Sequence, residues 1–210
     1  MDIESNITKK SNLDIDDSLS SFRGRAAQQF HGAYNVFFEF IKDIKPKRIL
    51  EIGTALGGFT HFLKWSCDEL GVDCHILSYE VNPQPWYEEM KTFGIDVRLE
   101  NIFGDNFSSV KQEVIDFIQQ DGTTIVLCDG GYKIGEFGIL SKYLKDGDFI
   151  MAHDYAENRE IFQDKVYKKI WNWHEISNGD IMNACNENNL NIYQKDMFEN
   201  VAWTCRRKEL

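Results

Sequence analysis

Downstream of residue 47 the chain alternates short apolar runs with amphipathic stretches, a rhythm that predicts strands separated by helices. Ahead of it, residues 1–21 are rich in Asp, Ser and Asn with scattered apolar positions, the pattern of a flexible arm. Ala26, Phe30, Tyr34, Phe37, Phe38 and Ile41 recur at helical spacing, predicting a helix over 22–43 that ends before Pro46. Arg48–Ile52 is the first strand, and Phe59, Phe62, Leu63, Cys67 and Leu70 form one face of a helix closed by Gly71. Strands are expected again at 74–79, 96–99, 123–128 and 148–152, with helices at 86–93, 110–118 and 137–144. Helices between strands imply parallel pairing with right-handed crossovers, and runs such as Ile125-Val126-Leu127 suit strands covered on both faces. In the last third, residues 161–173 are helical in pattern and 180–188 form a second short helix. Residues 190–193 and 200–206 read as two strands joined by a tight connection. The expected fold class is α/β, a doubly wound, mostly parallel sheet with a C-terminal antiparallel hairpin, in one domain over 22–210.

Chemistry enters at the turns that follow the strands. The stretch Glu51-Ile52-Gly53-Thr54-Ala55-Leu56-Gly57-Gly58 ends an apolar run with an acid and breaks into glycines ahead of a helix. Gly53 permits a sharp turn, and Gly57 and Gly58 permit close approach of backbone to a nucleotide-like ligand. Glu80 ends the second strand, where a carboxylate accepts hydrogen bonds from both hydroxyls of a ribose. Gly104-Asp105 follows the third strand, and Ile102 and Phe103 are placed to pack on the faces of an adenine. Cys128-Asp129-Gly130-Gly131-Tyr132-Lys133 follows strand four, and His153-Asp154-Tyr155 follows strand five. Open α/β sheets bind ligands at the carboxyl ends of their strands, and adjacent strands lie about 4.8 Å apart, so Asp129, His153 and Asp154 converge. Two carboxylates and an imidazole suit a divalent ion, while His153 alone suits a general base; both readings stay open.

Dinucleotide enzymes carry G-x-G-x-x-G, which the turn at 51–58 lacks. With an acid before its first glycine, it resembles motif I of class I S-adenosylmethionine-dependent methyltransferases of Rossmann-like fold. The clusters at Asp129 and His153-Asp154 resemble those of metal-dependent O-methyltransferases, both the catechol type and the sugar and macrolide, cephalosporin hydroxylase-like type. The resemblance covers roughly residues 47–155. It implies S-adenosylmethionine held by Glu51, Gly53, Thr54, Gly57, Gly58, Glu80, Asp105 and Asp129. It implies a divalent ion, Mg or Mn, on Asp129, His153 and Asp154, and Lys133, Tyr132 or His153 as the group that takes the acceptor's proton. His153 stands where those relatives have an acid, Gly131 where the sugar-modifying group often has a second Asp, and Tyr132 where the catechol type has its Lys. The implied acceptor is a hydroxyl of a small molecule or sugar.

A net charge of −11 disfavours nucleic acid and anionic lipid as partners. No apolar run reaches the roughly 20 residues that span a bilayer, and the polar, acidic start is unlike a signal peptide, so a cytoplasmic protein is expected. Five cysteines without a C-x-x-C pair read as reduced thiols. An exposed edge hairpin would permit a homodimer. Two other functions fit less of the pattern: a nicotinamide-dependent oxidoreductase, and a methyltransferase fold serving only as a binding subunit. Arg23, Arg25, Gln28 and His31 ahead of the first strand, and Trp171, Trp173, His174 and Glu175 after the fifth, are lesser candidates for covering an acceptor.

Overall fold

A computed structural model describes residues 3–9 and 20–210. The central sheet contains β4 (Arg48–Ile52), β5 (His75–Glu80), β6 (Ile95–Leu99), β7 (Thr124–Cys128), β8 (Phe149–His153), β11 (Leu190–Ile192) and β12 (Trp203–Lys208). Its spatial order is β11-β12-β8-β7-β4-β5-β6, parallel from β8 through β6, with β12 antiparallel to β8 and β11 antiparallel to β12. This is the expected doubly wound sheet with its antiparallel C-terminal pair. Alternation along the central strands supplies two cores. Ile49, Ile125 and Met151 face α1 (Gly32–Ile44) and α2 (Gly58–Glu69), while Leu50, Val126 and Ile150 face the opposite layer. That second layer is α4 (Gln112–Gln119), α5 (Lys133–Leu140) and α7 (Asn178–Glu187), and α3 (Tyr87–Thr92) packs beside β6.

Register sets up the functional edge. Ile52 pairs with Cys128, and Cys128 pairs with Ala152, so the chain leaves β4, β7 and β8 at nearly one level. The turn at Gly53, the Asp129 loop and His153-Asp154 therefore open onto one rim.

Four expectations are corrected. The helix expected over 22–43 begins only at Gly32; before it, β2 (Ser20–Phe22) and β3 (Arg25–Ala27) form a hairpin. Arg23 and Gly24 both have positive φ, 49° and 79°, the geometry of a two-residue hairpin turn. Of the arm expected over 1–21, residues 1–2 and 10–19 lie outside the described residues. Within 3–9, β1 (Ile7–Thr8) pairs with β2, and Ile3 and Ile7 pack on the core. The helix expected over 161–173 is only α6 (Arg159–Ile161) with a π-turn at Phe162–Val166. The chain then leaves the helix, Lys168 adopting φ 57°, and the indole of Trp171 donates to Asp154. Beside it, β9 (Tyr155–Ala156) pairs with β10 (Ile176–Ser177). Finally, β11 and β12 are joined through α8 (Lys195–Glu199) rather than by a tight connection. No helix among the described residues is long and apolar enough to cross a membrane. All five cysteines are free thiols.

Candidate active site

A cavity of about 620 Å³ opens at the rim, lined by Glu51, Gly53, Thr54, Gly57 and Glu80 on one side and Asp129, Tyr132, Lys133, His153 and Asp154 on the other. Gly53 has φ 95°, and a Cβ there would lie 2.3 Å from the carbonyl oxygen of Asp129, so only glycine fits between the β4 and β7 loops. Glu51 is buried and accepts from Thr60 Oγ1 at 2.7 Å and from Ser78 Oγ. Burial pushes its carboxyl up to about 7 despite those two donors, with Asp129 and Glu80 adding to the rise. Thr54 Oγ1 lies 2.6 Å from Ser78 Oγ, extending the same network. Glu80 spans the next turn: Oε2 accepts from the amide of Ala55 at 2.9 Å, and Oε1 from the amides of Val81 and Asn82 at 2.8 and 2.9 Å.

Two residues expected to hold the cofactor do not line the cavity. Asp105 is exposed on a short 3-10 turn and does not line the cavity; Ile102, Phe103 and Phe107 do. Gly58 faces protein instead, since a Cβ would lie 2.4 Å from the carbonyl oxygens of Arg25 and Ala26. Its missing side chain makes room for β3, which could not be foreseen while 22–31 read as helix. Gly57 does line the cavity, but the space above its Cα is filled by the Trp86 ring.

Asp129, His153 and Asp154 converge, with their ligand atoms all within 4.8 Å of one another. His153 ends β8, and its ring is held between Trp203, stacked at 4.8 Å, and Trp171, tilted at 4.8 Å. Its Nδ1 lies 3.0 Å from Asp129 Oδ1, and its buried Nε2 has no protein partner. Burial works against an imidazolium here, but Asp129 and Asp154 outweigh it and hold the group above the usual histidine range. Asp154 adopts φ 57°, an uncommon backbone for a residue other than glycine. Its carboxyl is desolvated, yet His153, Lys133 and the Trp171 indole together hold it below the usual aspartate range.

Lys133 opens α5 and places its ammonium inside this cluster. Nζ lies 2.8 Å from Asp154 Oδ2, 2.8 Å from Glu175 Oε2, 3.0 Å from the Gly130 carbonyl and 3.8 Å from Asp129 Oδ1. Burial opposes the charge, but Asp129, Asp154 and the hydrogen bonds to Asp154 and Glu175 hold the ammonium above the usual lysine range. Tyr132 also lines the cavity, half exposed, and meets Phe107 edge-on.

Two residues escaped sequence reasoning. Gln29, buried, donates from Nε2 to Asp129 Oδ2 at 2.8 Å and accepts on Oε1 from Trp203 Nε1 at 2.8 Å, bridging the base of the site. Glu136, also buried, accepts from the amides of Gly130 and Tyr132 at 3.1 Å each, fixing the loop that carries Asp129. The second had a signal, an acid one turn into a helix behind a glycine pair; Gln29 had none. Of the lesser candidates, Gln28, Trp171, Trp173 and Glu175 line the cavity, whereas Arg25 pairs outside it with Glu89 at 2.7 Å.

The Lys133 ammonium stands among these ligand atoms, 2.8 Å from Asp154 Oδ2 and 3.8 Å from Asp129 Oδ1, so the cluster as it stands already holds a positive charge where a divalent ion would sit.

No protein-family model matches the sequence, and no curated protein matches it. Among solved structures, the chain is similar to the CmcI-N160 apo-structure at TM-score 0.65 and 11% identity, over 90% of this chain and 76% of that one. A CmcI-D160 structure with Mg and S-adenosylmethionine aligns at TM-score 0.60 and 14% identity, over 89% and 75%. An O-methyltransferase family protein from Burkholderia thailandensis aligns at TM-score 0.54 and 8% identity, over 84% and 55%. At these identities the likeness establishes the fold. The chain has the Rossmann-like α/β fold of these structures.

Proposed function

We propose that the chain is an S-adenosylmethionine-dependent O-methyltransferase acting on a hydroxyl of a small molecule, sugar hydroxyls included. The observation that carries this reading is a single cavity shared by the Glu51–Gly57 turn, Glu80 and an Asp129–His153 pair whose second imidazole nitrogen is free. In this reading Glu51 faces the cofactor's ammonium, Glu80 accepts from the ribose hydroxyls, and Ile102, Phe103 and Phe107 supply an apolar bed for the adenine. CmcI was solved with S-adenosylhomocysteine and with Mg and S-adenosylmethionine, which favours the same cofactor here. The turn lacks the dinucleotide glycine pattern, which counts against a nicotinamide enzyme.

The chemistry follows from His153. The acceptor hydroxyl sits against Nε2, and its oxygen attacks the sulfonium methyl in line with the departing sulfur. As the O–C bond forms, the C–S bond breaks, its electron pair stays on sulfur as a neutral thioether, and the proton passes to Nε2. Positive charge thus moves from sulfonium to imidazolium, beside Asp129 and Asp154. Asp129 holds the Nδ1–H, fixing the ring so that Nε2 is the nitrogen that accepts. Gln29 and the two flanking indoles keep that pair in place, and Trp171 and Trp173 wall the acceptor side against water.

Methyl-labelled S-adenosylmethionine and a panel of phenols, alcohols and sugars test the proposal. Label should move to at least one hydroxyl compound, and His153→Ala should lower kcat by about 10²–10⁴ with cofactor affinity retained. Transfer undiminished by His153→Ala would remove His153 as the base.

A further inference from the structure

Each carboxylate oxygen at the sheet edge has a protein donor, and one of those donors is a cation. Asp129 Oδ1 takes His153 Nδ1 and Oδ2 takes Gln29 Nε2, while Asp154 Oδ1 takes the Trp171 indole and Oδ2 takes Lys133. Lys133 makes three contacts within 3.0 Å, to Asp154, Glu175 and the Gly130 carbonyl, which match the three donors of an ammonium. Its side chain is only 5% exposed, so the ammonium is built into the wall and is not a surface group folded inward. A hard divalent ion needs several oxygens at about 2.0–2.6 Å around one point, and an ammonium already seated at that point excludes it by volume and repels it by charge. Lys133 is so seated, with Asp154, Glu175 and the Gly130 carbonyl within 3.0 Å of its nitrogen.

We infer that Lys133 is the resident cation of this site: its ammonium fills the place between Asp129, Asp154 and Glu175 where a divalent ion would bind, and the protein takes no metal there. The inference rests on the methyltransferase reading for its consequence, which concerns the acceptor. A divalent ion is useful to an acceptor that chelates through two adjacent oxygens; with an ammonium in its place whose donors are all used, one hydroxyl facing His153 suffices. The acceptor class is then a lone hydroxyl, as in a monophenol or an isolated alcohol, and not a vicinal diol gripped through both oxygens. Lys133 acts as a positioning residue, neutralising Asp154 and holding the Asp129 loop through Gly130.

Manganese(II) alone is the probe, followed by calorimetry and by the loss of its free electron-spin signal, on the full chain. The wild type should bind no equivalent of ion at millimolar concentration. Lys133→Ala leaves three carboxylates around one gap and should bind one equivalent, about tenfold or more tighter than any residual wild-type binding. Lys133→Gln, which keeps most of the bulk and a donor, serves if the alanine variant does not fold, and should also gain affinity. A wild type that binds one equivalent, weakened by Asp154→Asn, overturns the inference. So do folded Lys133 variants that bind no better than wild type. S-adenosylhomocysteine shifts measured with chelator present separate the two claims. A wild type that binds both this ligand and manganese loses only the present inference, whereas no shift removes the cofactor reading and leaves the manganese result standing.

Discussion

Replacing Glu51 with Gln isolates the most heavily desolvated acid of the cavity. Its carboxyl is pushed from 4.5 to about 7 by burial, partly offset by Ser78 and Thr60. A folded-state value above the unfolded one means that the native protein holds a proton the unfolded chain releases. The associated stability is present in full below about pH 4.5 and is lost as pH rises through about 7. A rise from 4.5 to about 7 corresponds to about 3 kcal/mol at pH 8. Gln is neutral at every pH, and its carbonyl still accepts from both hydroxyls. Urea unfolding of cofactor-free protein across pH 4.5–8 is the assay. Glu51→Gln should match the wild type near pH 4.5 and exceed it by about 3 kcal/mol at pH 8, while binding S-adenosylhomocysteine more weakly because the ammonium loses its counter-charge. Equal stabilities at pH 8, or a wild-type advantage growing with pH, would refute the claim that Glu51 is held desolvated in readiness for a cation.

Two further outcomes concern the catalytic pair. The base must be neutral, so kcat/KM should rise with pH along a limb whose midpoint lies above the 6.5 of an ordinary histidine. The facing groups are Asp129 after β7, Asp154 after β8 and Lys133 on α5; the two acids raise the value and Lys133 lowers it, so Asp129→Asn should move the limb down. Gln29→Ala orphans the Trp203 indole and one oxygen of Asp129, costing about 1–3 kcal/mol in a thermal or urea melt. It should lower kcat more than it raises KM for the cofactor, whereas a purely structural Gln29 would leave kcat of the folded fraction intact.

The sheet was legible because its information is local. Five apolar runs with turn residues between them define β4 through β8, and the acids at their ends mark the rim on which Glu51, Glu80, Asp129, His153 and Asp154 meet. What escaped was carried by partners distant in sequence. Ala26 and Phe30 sit at helical spacing, yet the Arg23-Gly24 turn and the bare Cα of Gly58 draw 25–27 into a strand over α2. Trp171 lies in a helical pattern, but its bond to Asp154 pulls the chain out of the helix. Gln29 touches a residue 100 positions away and another 174 away, a pairing that no spacing rule encodes. Lys133 was visible as a candidate base; that its ammonium sits within the carboxylate cluster depends on Asp154, after a neighbouring strand, and on Glu175, brought in by the irregular segment after α6.

The most direct test of the central claim is a calorimetric titration of the purified protein with S-adenosylhomocysteine and, separately, with NAD. One equivalent of S-adenosylhomocysteine should bind, with affinity lowered by Glu80→Ala, and NAD should give no heat. Binding of NAD in its place, or no binding of either ligand by folded protein, would contradict the claim.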